Sequence, residues 1–331
     1  MPQAQARLTT TVRLAALLLS AGALTCTAPT GRSVTECIAP AAPGGGWDFT
    51  CRSVGRVLSE LGLVEGTVRV TNIPGAGGGI ALAHTVTQRG RDGNLLVAAS
   101  PSTTLSLSQG RFGDLSERSV RWVAAIGSEV GALAVRSDAP WQTLTELMEY
   151  WQSDPGAITV SGGSTVASQD HMKVMLVARE AGIAPRAVRY IPFDGGGEAL
   201  TAMLGGFVDV FSGEISEMAG QIEAGAVRVI AVLSPERLGG DLAHIPTARE
   251  SGYDVEWITW RGFYVPAEIA DSTYERWVDA LTRLESSPEW GAVRAANRLQ
   301  PFFVAGDDFT RFVNAQIEEF RSISREIGLI Q

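Results

Sequence analysis

Short apolar runs of strand length alternate with segments of helical spacing along almost the whole chain, and glycine-rich turns sit at many of the junctions. That alternation predicts parallel sheets with helices on both faces. Strands are expected at residues 34–39, 68–72, 95–99, 122–126, 132–136, 158–161, 188–192, 208–211, 227–233 and 257–265. Helices are expected at 48–61, 80–88, 144–151, 168–181, 198–204, 218–224, 272–285, 288–297 and 307–327. Thr143, with Glu146 three residues on, has the pattern of a capping box. The central block reads as inserted between two parts of one domain. The expectation is two α/β lobes, residues 34–134 plus 234–331 and residues 135–233, joined by strands crossing near 133–136 and 230–233. Ligands of such folds bind outside the carboxyl ends of the strands and in the cleft between lobes.

Residues 1–28 have the layout of a secretory signal peptide: a polar stretch with Arg7 and Arg13, an apolar run at residues 14–24, then small residues. The run is shorter than the roughly 20 apolar residues that span a bilayer. The expected location is therefore outside the cytoplasm, in the periplasm or on the outer face of the cell membrane. Cys26 follows Ala23-Leu24-Thr25, so a lipid anchor on Cys26 is the alternative to simple cleavage. Cys37 and Cys51 then remain, fourteen apart. In an oxidising compartment they read as a disulfide, the alternative being two buried thiols.

The formal charge of −9 argues against nucleic acid and anionic membrane as partners. It leaves room for an anionic ligand, because helix N-termini bind anions through backbone N–H groups. Pro43-Gly44-Gly45-Gly46-Trp47-Asp48 follows a strand and opens a helix, so its first N–H groups point at whatever fills the crevice. Alone it also fits a tight turn with Asp48 as a cap. Asn72-Ile73-Pro74-Gly75-Ala76-Gly77-Gly78-Gly79 lies at a second such junction. Ser161-Gly162-Gly163-Ser164-Thr165, with Ser168 beyond it, lies at a third. Phe193-Asp194-Gly195-Gly196-Gly197-Glu198 lies at a fourth. Arg261 is a candidate for a bidentate pair with a ligand carboxylate, a structural ion pair being the other reading.

Signals for catalysis are thin. The dinucleotide fingerprint and the P-loop are both missing, and Lys173 is the single lysine. No G-x-S-x-G elbow occurs. His84, His171 and His244 lack metal-ligand spacing and read as packed or capping residues. Asp48 and Glu214 make an acid/base pair only on paper. No cofactor or metal is expected.

Taken in order, PGGGWD at Pro43, NIPGAGGG at Asn72, SGGST at Ser161, FDGGGEA before LGGFVDV, and HIPTARESGYD before WRGFYVP resemble the extracytoplasmic solute receptors of tripartite tricarboxylate transporters, the TctC or Bug family. The bracket ECIAPAAPGGGWDFTC resembles the citrate-type members. The resemblance implies a two-lobed type II periplasmic binding fold with an interlobe cleft and no enzymatic chemistry. The ligand would be a citrate-like di- or tricarboxylate, and the partners a large and a small integral membrane subunit. The implied ligand contacts are Gly44, Gly45, Gly46, Trp47 and Asp48, then Ala76, Gly77 and Gly78. The second lobe would add Ser164, Thr165, Ser168, Asp194, Gly195 and Gly196. Many members have a small residue where this chain has Trp47, which narrows the pocket. A sensory receptor and a secreted α/β enzyme are the rival readings.

Overall fold

The apolar run near residue 36 forms β1 (Glu36–Ala39), and the amphipathic segment after the first glycine loop forms α1 (Gly46–Glu60). The computed structural model describes residues 34–331; the signal-peptide and Cys26 readings lie outside them. The chain continues through β2 (Arg69–Asn72), α2 (Gly79–Gln88), β3 (Leu95–Ala99), α3 (Pro101–Ser108), β4 (Val120–Arg136), α4 (Leu144–Ser153), β5 (Thr159–Gly162), α5 (Gln169–Glu180), β6 (Arg189–Pro192) and α6 (Gly196–Leu204). Then come β7 (Val210–Glu214), α7 (Ala219–Glu223), β8 (Val227–Val232), β9 (Ile258–Pro266), α8 (Asp271–Glu285), α9 (Pro288–Ala296), β10 (Gln300–Ala305) and α10 (Gly306–Glu326).

The sheet runs β2-β1-β3-β9-β4-β7-β5-β6, with β10 and β8 also paired to β4. Outer strands are parallel, β1 with β2 and β3, and β5 with β6 and β7. The centre departs from the all-parallel expectation. β9 and β10 pair antiparallel with the first part of β4, and β7 and β8 pair antiparallel with its last part. The two strands expected at 122–126 and 132–136 are one strand of 17 residues. The polar stretch between them, Ser128 and Glu129, is buried within it.

β4 thus serves both halves of the sheet. Next to it, the Leu233 N–H donates to the Gly131 carbonyl (2.7 Å) and the Trp257 N–H to the Leu233 carbonyl (2.7 Å). Register fixes where the loops go. Ala99, the last residue of β3, pairs with Gly262, and Glu214, the last residue of β7, pairs with Gly131 at the junction. The carboxyl ends of the parallel strands of both halves therefore point toward the junction, and their loops gather there.

Each half has its own apolar layers. Val54, Trp277 and Trp290 hold α1, α8 and α9 to one face of the first half. Leu82, Phe309 and Trp260 hold α2 and α10 to the other. In the second half Leu147, Trp151 and Met172 anchor α4 and α5, while Leu200 and Met203 anchor α6 on the opposite face. α10 straddles the halves: its C-terminal Phe320 stacks on Trp257 with ring centroids 5.2 Å apart. The Thr143 cap is present, accepting from the Glu146 N–H, while Glu146 reaches back to the Gln142 N–H rather than to Thr143.

Candidate functional site

The first glycine loop is held from behind. Asp48 lies in the first turn of α1, 3% exposed. Its carboxylate accepts from the Gly44 N–H, the Arg52 guanidinium and the Asn72 amide, each at 2.9 Å. Burial alone would raise its pKa; the bonds from Arg52, Gly44 and Asn72 outweigh that and keep it below the ordinary carboxylate range. Asn72 also donates to the Ala41 carbonyl at 2.9 Å, so one carboxylate and one amide lock the first two loops together. Asp48, expected among the ligand contacts, is thus a strut of the loop. A disulfide between Cys37 and Cys51, with Cα atoms 5.6 Å apart, closes the same loop at its base.

In front of that strut, Gly45 is the N-cap of α1, and the first-turn N–H groups have no intrahelical acceptor. Gly46 is open to solvent, and a side-chain carbon there would lie 2.7 Å from the Arg261 guanidinium. Arg261 is 7% exposed. It pairs with Glu129, Nε to Oε1 at 3.2 Å and Nη2 to Oε2 at 2.9 Å. The bidentate geometry expected with a ligand is therefore made internally. Burial opposes the charge, but Glu129 and then Glu214 outweigh it, so Arg261 stays protonated. Ser216 donates to Glu129 Oε2 at 3.0 Å, which carries the chain of contacts into the second half.

The second loop wraps the first. Gly78 has φ +96°, a backbone region that side chains disfavour, and the Trp47 ring lies 3.5 Å from where its Cβ would be. Trp47 is half-buried against the apolar layer of α1. Ala76 is exposed, and Gly77 faces the Ser106 hydroxyl.

In the second half the loops interlock through backbone. A side chain on Gly163 would collide with the backbone of Gly195 and Gly196. Ser164 Oγ accepts the Asp170 N–H at 3.1 Å, and the Tyr190 hydroxyl donates to the Ser164 carbonyl at 2.7 Å. Thr165 and Asp194 are exposed. Ser168, the N-cap of α5, shares a hydrogen bond with Ser102 Oγ at 2.9 Å, a direct bond between the halves. Gln109 adds another by donating to the Ala167 carbonyl at 2.9 Å.

Below this wall lies a buried ionic cluster. Lys173, fully buried, meets Asp170 at 2.9 Å and Glu214 at 2.6 Å and donates to the Gly213 carbonyl at 3.2 Å. Burial alone would lower its pKa; Asp170 and Glu214 more than offset that, so it stays charged. Thr259 donates to the same Glu214 oxygen at 2.8 Å. Glu217 is exposed, yet its carboxyl head rests on Gly196 and Gly213. Burial of that head, and then the carboxylates of Asp170 and Glu214, push its pKa up to about 8.

Asp48 and Glu214 each belong to a separate network, so they do not form an acid/base pair. His171 is stacked on Tyr190, and burial pushes it down to about 4. His84 is half-buried on α2, and His244 contacts the Asp241 carbonyl through Nδ1 at 2.8 Å. Among the described residues no three His, Cys, Asp or Glu side chains gather into a metal site.

Sequence reasoning missed Ser102, Glu129, Ser216 and Glu217. Ser100-Pro101-Ser102 could have been found, since it follows an apolar strand as the other loops do. Glu129 could not, because its partner Arg261 is 132 residues away.

Comparison with known proteins adds three findings. The model of the tripartite tricarboxylate transporter family receptor, TctC, matches residues 55–329. A UPF0065 protein of Bordetella pertussis (strain Tohama I) is 25% identical over 88% of this chain and 88% of its own length. Among solved structures, MatC from Rhodopseudomonas palustris with bound malate is 20% identical, with a TM-score of 0.76 over 88% of this chain and 98% of its own. The R. palustris Rpa4515 protein with adipate is 19% identical, with a TM-score of 0.80 over 90% and 98%. At these identities the likeness to solved structures establishes the fold, a two-lobed periplasmic binding architecture with a cleft between the halves.

Proposed function

The chain belongs to the tripartite tricarboxylate transporter receptor family, and from that premise we propose that it captures a small di- or tricarboxylate outside the cytoplasm, citrate first, and hands it to the two integral membrane subunits of such a transporter. The observation that carries this reading is the meeting of the α1 N-terminus with Arg261 at Gly46. First-turn N–H groups without an intrahelical acceptor lie there beside a guanidinium, at a glycine that is itself exposed. Glu129 already neutralises Arg261, so attraction rests mainly on neutral donors and the helix end, which suits a chain of charge −9.

Malate and adipate, held by the two structural relatives, are both dicarboxylates, which supports the ligand class. The first-half loops receive one carboxylate. The loops at Ser164–Ser168 and Asp194–Gly196 close over the far end, and the closed form docks on the membrane subunits. Excluding water strengthens every hydrogen bond so formed. Among the described residues no helix is long and apolar enough to cross a membrane. Export then rests on the leader read from the sequence.

The test is a thermal-shift and calorimetry series with citrate, malate and adipate on the mature chain. A ligand at 100 times its Kd stabilises by about 2.7 kcal/mol. Gly45→Val, whose side chain would press on Ala41 and the Ala42 carbonyl, and Asp48→Ala, which removes the strut, are each expected to weaken binding sharply. No shift with any carboxylate, or unchanged affinity in both variants, would remove the first loop from the site.

A further inference from the structure

The second wall has to receive a carboxylate without a lysine to spare. Lys173, the single lysine of the chain, is fully buried and spent on Asp170 and Glu214. Arginines of this half sit away from the junction, as Arg136 at the end of β4, Arg179 in the last turn of α5 and Arg189 at the start of β6 show. We propose that Glu217 determines specificity at the far end of the cleft by donating, as a neutral carboxyl group, a hydrogen bond to the ligand's second carboxylate. The inference rests on the carboxylate-capture reading above and names how the far end is met.

Glu217 lies in the short turn Ile215–Met218 at the carboxyl end of β7, where the loops of the second wall gather, and it is exposed. Its Oε2 accepts the Glu214 N–H at 2.9 Å, which fixes the head. This is the one hydrogen bond of the carboxyl group among the described residues, so Oε1 is left over. Oε1 rests on Gly196, in the first turn of α6, so closely that any side chain on Gly196 would collide with it. That loop is the one proposed to close over the far end of the ligand. Arg261, behind Gly46 of the first wall, feels Glu217 among the carboxylates that keep its guanidinium charged. Glu217 therefore stands within electrostatic reach of a carboxylate held at Gly46.

The count of charges favours the neutral form. Glu129 from β4, Asp170 from α5 and Glu214 from β7 all act on Glu217, and the cations nearby are Lys173 and Arg261. Asp170 and Glu214 hold Lys173, and Glu129 holds Arg261. Glu217 has no cation of its own. Tyr190 from β6, whose hydroxyl is kept neutral by burial, adds no charge. The outcome is a pKa pushed up to about 8. A neutral carboxyl group donates as well as accepts, and its bond to a carboxylate is charge-assisted. A bound anion beside it disfavours its ionisation further. Below pH 8 the proton is already in place. Above pH 8 capture draws it from solvent, and affinity falls as pH rises.

The probe is malate, titrated into the mature chain by calorimetry at pH 7, 8 and 9, each in two buffers of different ionisation heat so that proton uptake is counted. Both malate carboxylates stay ionised over that range. Wild type is expected to take up little proton at pH 7 and nearly one at pH 9. It is expected to bind about tenfold more weakly at pH 9 than at pH 7, as the neutral share of Glu217 falls from about nine-tenths to about one-tenth. Glu217→Gln keeps an acceptor for the Glu214 N–H and offers an N–H donor to the ligand. It is expected to bind malate about as tightly as wild type at pH 7, with no proton uptake and no fall at pH 9. Malate binding by wild type without proton uptake at pH 9 overturns the proposal and leaves the capture reading standing. Uptake that survives in Glu217→Gln overturns it too, because the proton then belongs to Asp170 or another group. So does loss of malate at pH 7 by a Glu217→Gln chain that is folded by circular dichroism. If malate, citrate and adipate all fail to bind at any pH, the capture reading itself is overturned, and this inference with it.

Discussion

The two walls of the cleft look alike in sequence, glycine loops between strand and helix, but they are built differently. The first wall is a set of donors braced from behind by one carboxylate, Asp48, and a disulfide. The second is backbone against backbone, Gly163 on Gly196, laid over the buried Lys173 cluster. In the first, Gly44 opens onto free space and Gly46 makes room for the Arg261 guanidinium. In the second, Gly163 lets two loops of the protein touch. On the function proposed above, the same residue type serves binding on one side and assembly on the other.

Removing the cation under the second wall is the harshest way to break that contrast. Lys173→Met leaves Asp170 and Glu214 buried without their partner. Loss of one member of a buried pair costs about 3–5 kcal/mol, to be read from urea denaturation without ligand. Asp48→Asn in the first wall is expected to cost less, about 1–2 kcal/mol, because Asn keeps an acceptor for the Gly44 N–H. Equal losses would mean that the two walls are not built on different supports.

pH separates the walls by window. Asp48 has its pKa lowered in the folded chain, so its contribution is present above the unfolded carboxylate value, about 3.9, and lost as pH falls further. His171, in the second half, is lowered from 6.5 to about 4 by burial. The unfolded chain takes up that proton first, so this contribution is full above pH 6.5 and is lost as pH falls toward 4, about 3 kcal/mol in all. Asp170 and Glu217 have raised pKa values and oppose it in neighbouring windows. The clean reading is therefore the difference between wild type and His171→Phe across pH 4–7. A difference that does not change with pH would mean that His171 is not buried neutral.

Much of this was legible beforehand. Helical spacing located α1, α5 and α8 within a few residues, and Thr143 caps where its pattern said. The Cys37–Cys51 pairing also followed from spacing and export. α3 was missed because Pro101–Ser108 shows no apolar period; it is wholly buried, and Thr104 and Ser108 return their hydroxyls to backbone carbonyls. β4 was split in two because Ser128 and Glu129 look like loop, yet they are buried to serve partners far along the chain. Local pattern finds the glycine loops between strand and helix. It does not find side chains such as Glu129, whose role is set by a distant partner; Arg261 stands out in the sequence, but which carboxylate it pairs with does not.

Single methyl groups sharpen the comparison of the glycines. Gly163→Ala meets backbone that cannot yield, and overpacking of that kind costs about 1–3 kcal/mol of stability. Gly46→Ala meets a side-chain end, Arg261, which can shift at the expense of its Glu129 pair. Its expected signature is a loss of stability smaller than that of Gly163→Ala, because the buried pair is strained and not removed, with about a tenfold loss of carboxylate affinity, one charged hydrogen bond's worth. Denaturation and calorimetry on both variants give the answer. If Gly46→Ala proves the more destabilising of the two, the assignment of binding to one wall and assembly to the other is reversed.

The smallest effect is expected where the walls meet. Ser102 and Ser168 share one neutral hydrogen bond at 2.9 Å, worth about 1 kcal/mol. Each Ser also has its own half to pack against, so neither single Ala variant isolates the bond; the double-mutant cycle does. The bond can exist only while the halves are together, so losing it should favour the open form and leave each half as stable as before. The expected outcome is a coupling energy of about 0.5–1 kcal/mol in ligand affinity and a larger radius of gyration by solution scattering without ligand, with urea unfolding almost unchanged. If the coupling appears in unfolding instead, Ser102 and Ser168 belong to a fixed interface, and the cleft does not open at that point.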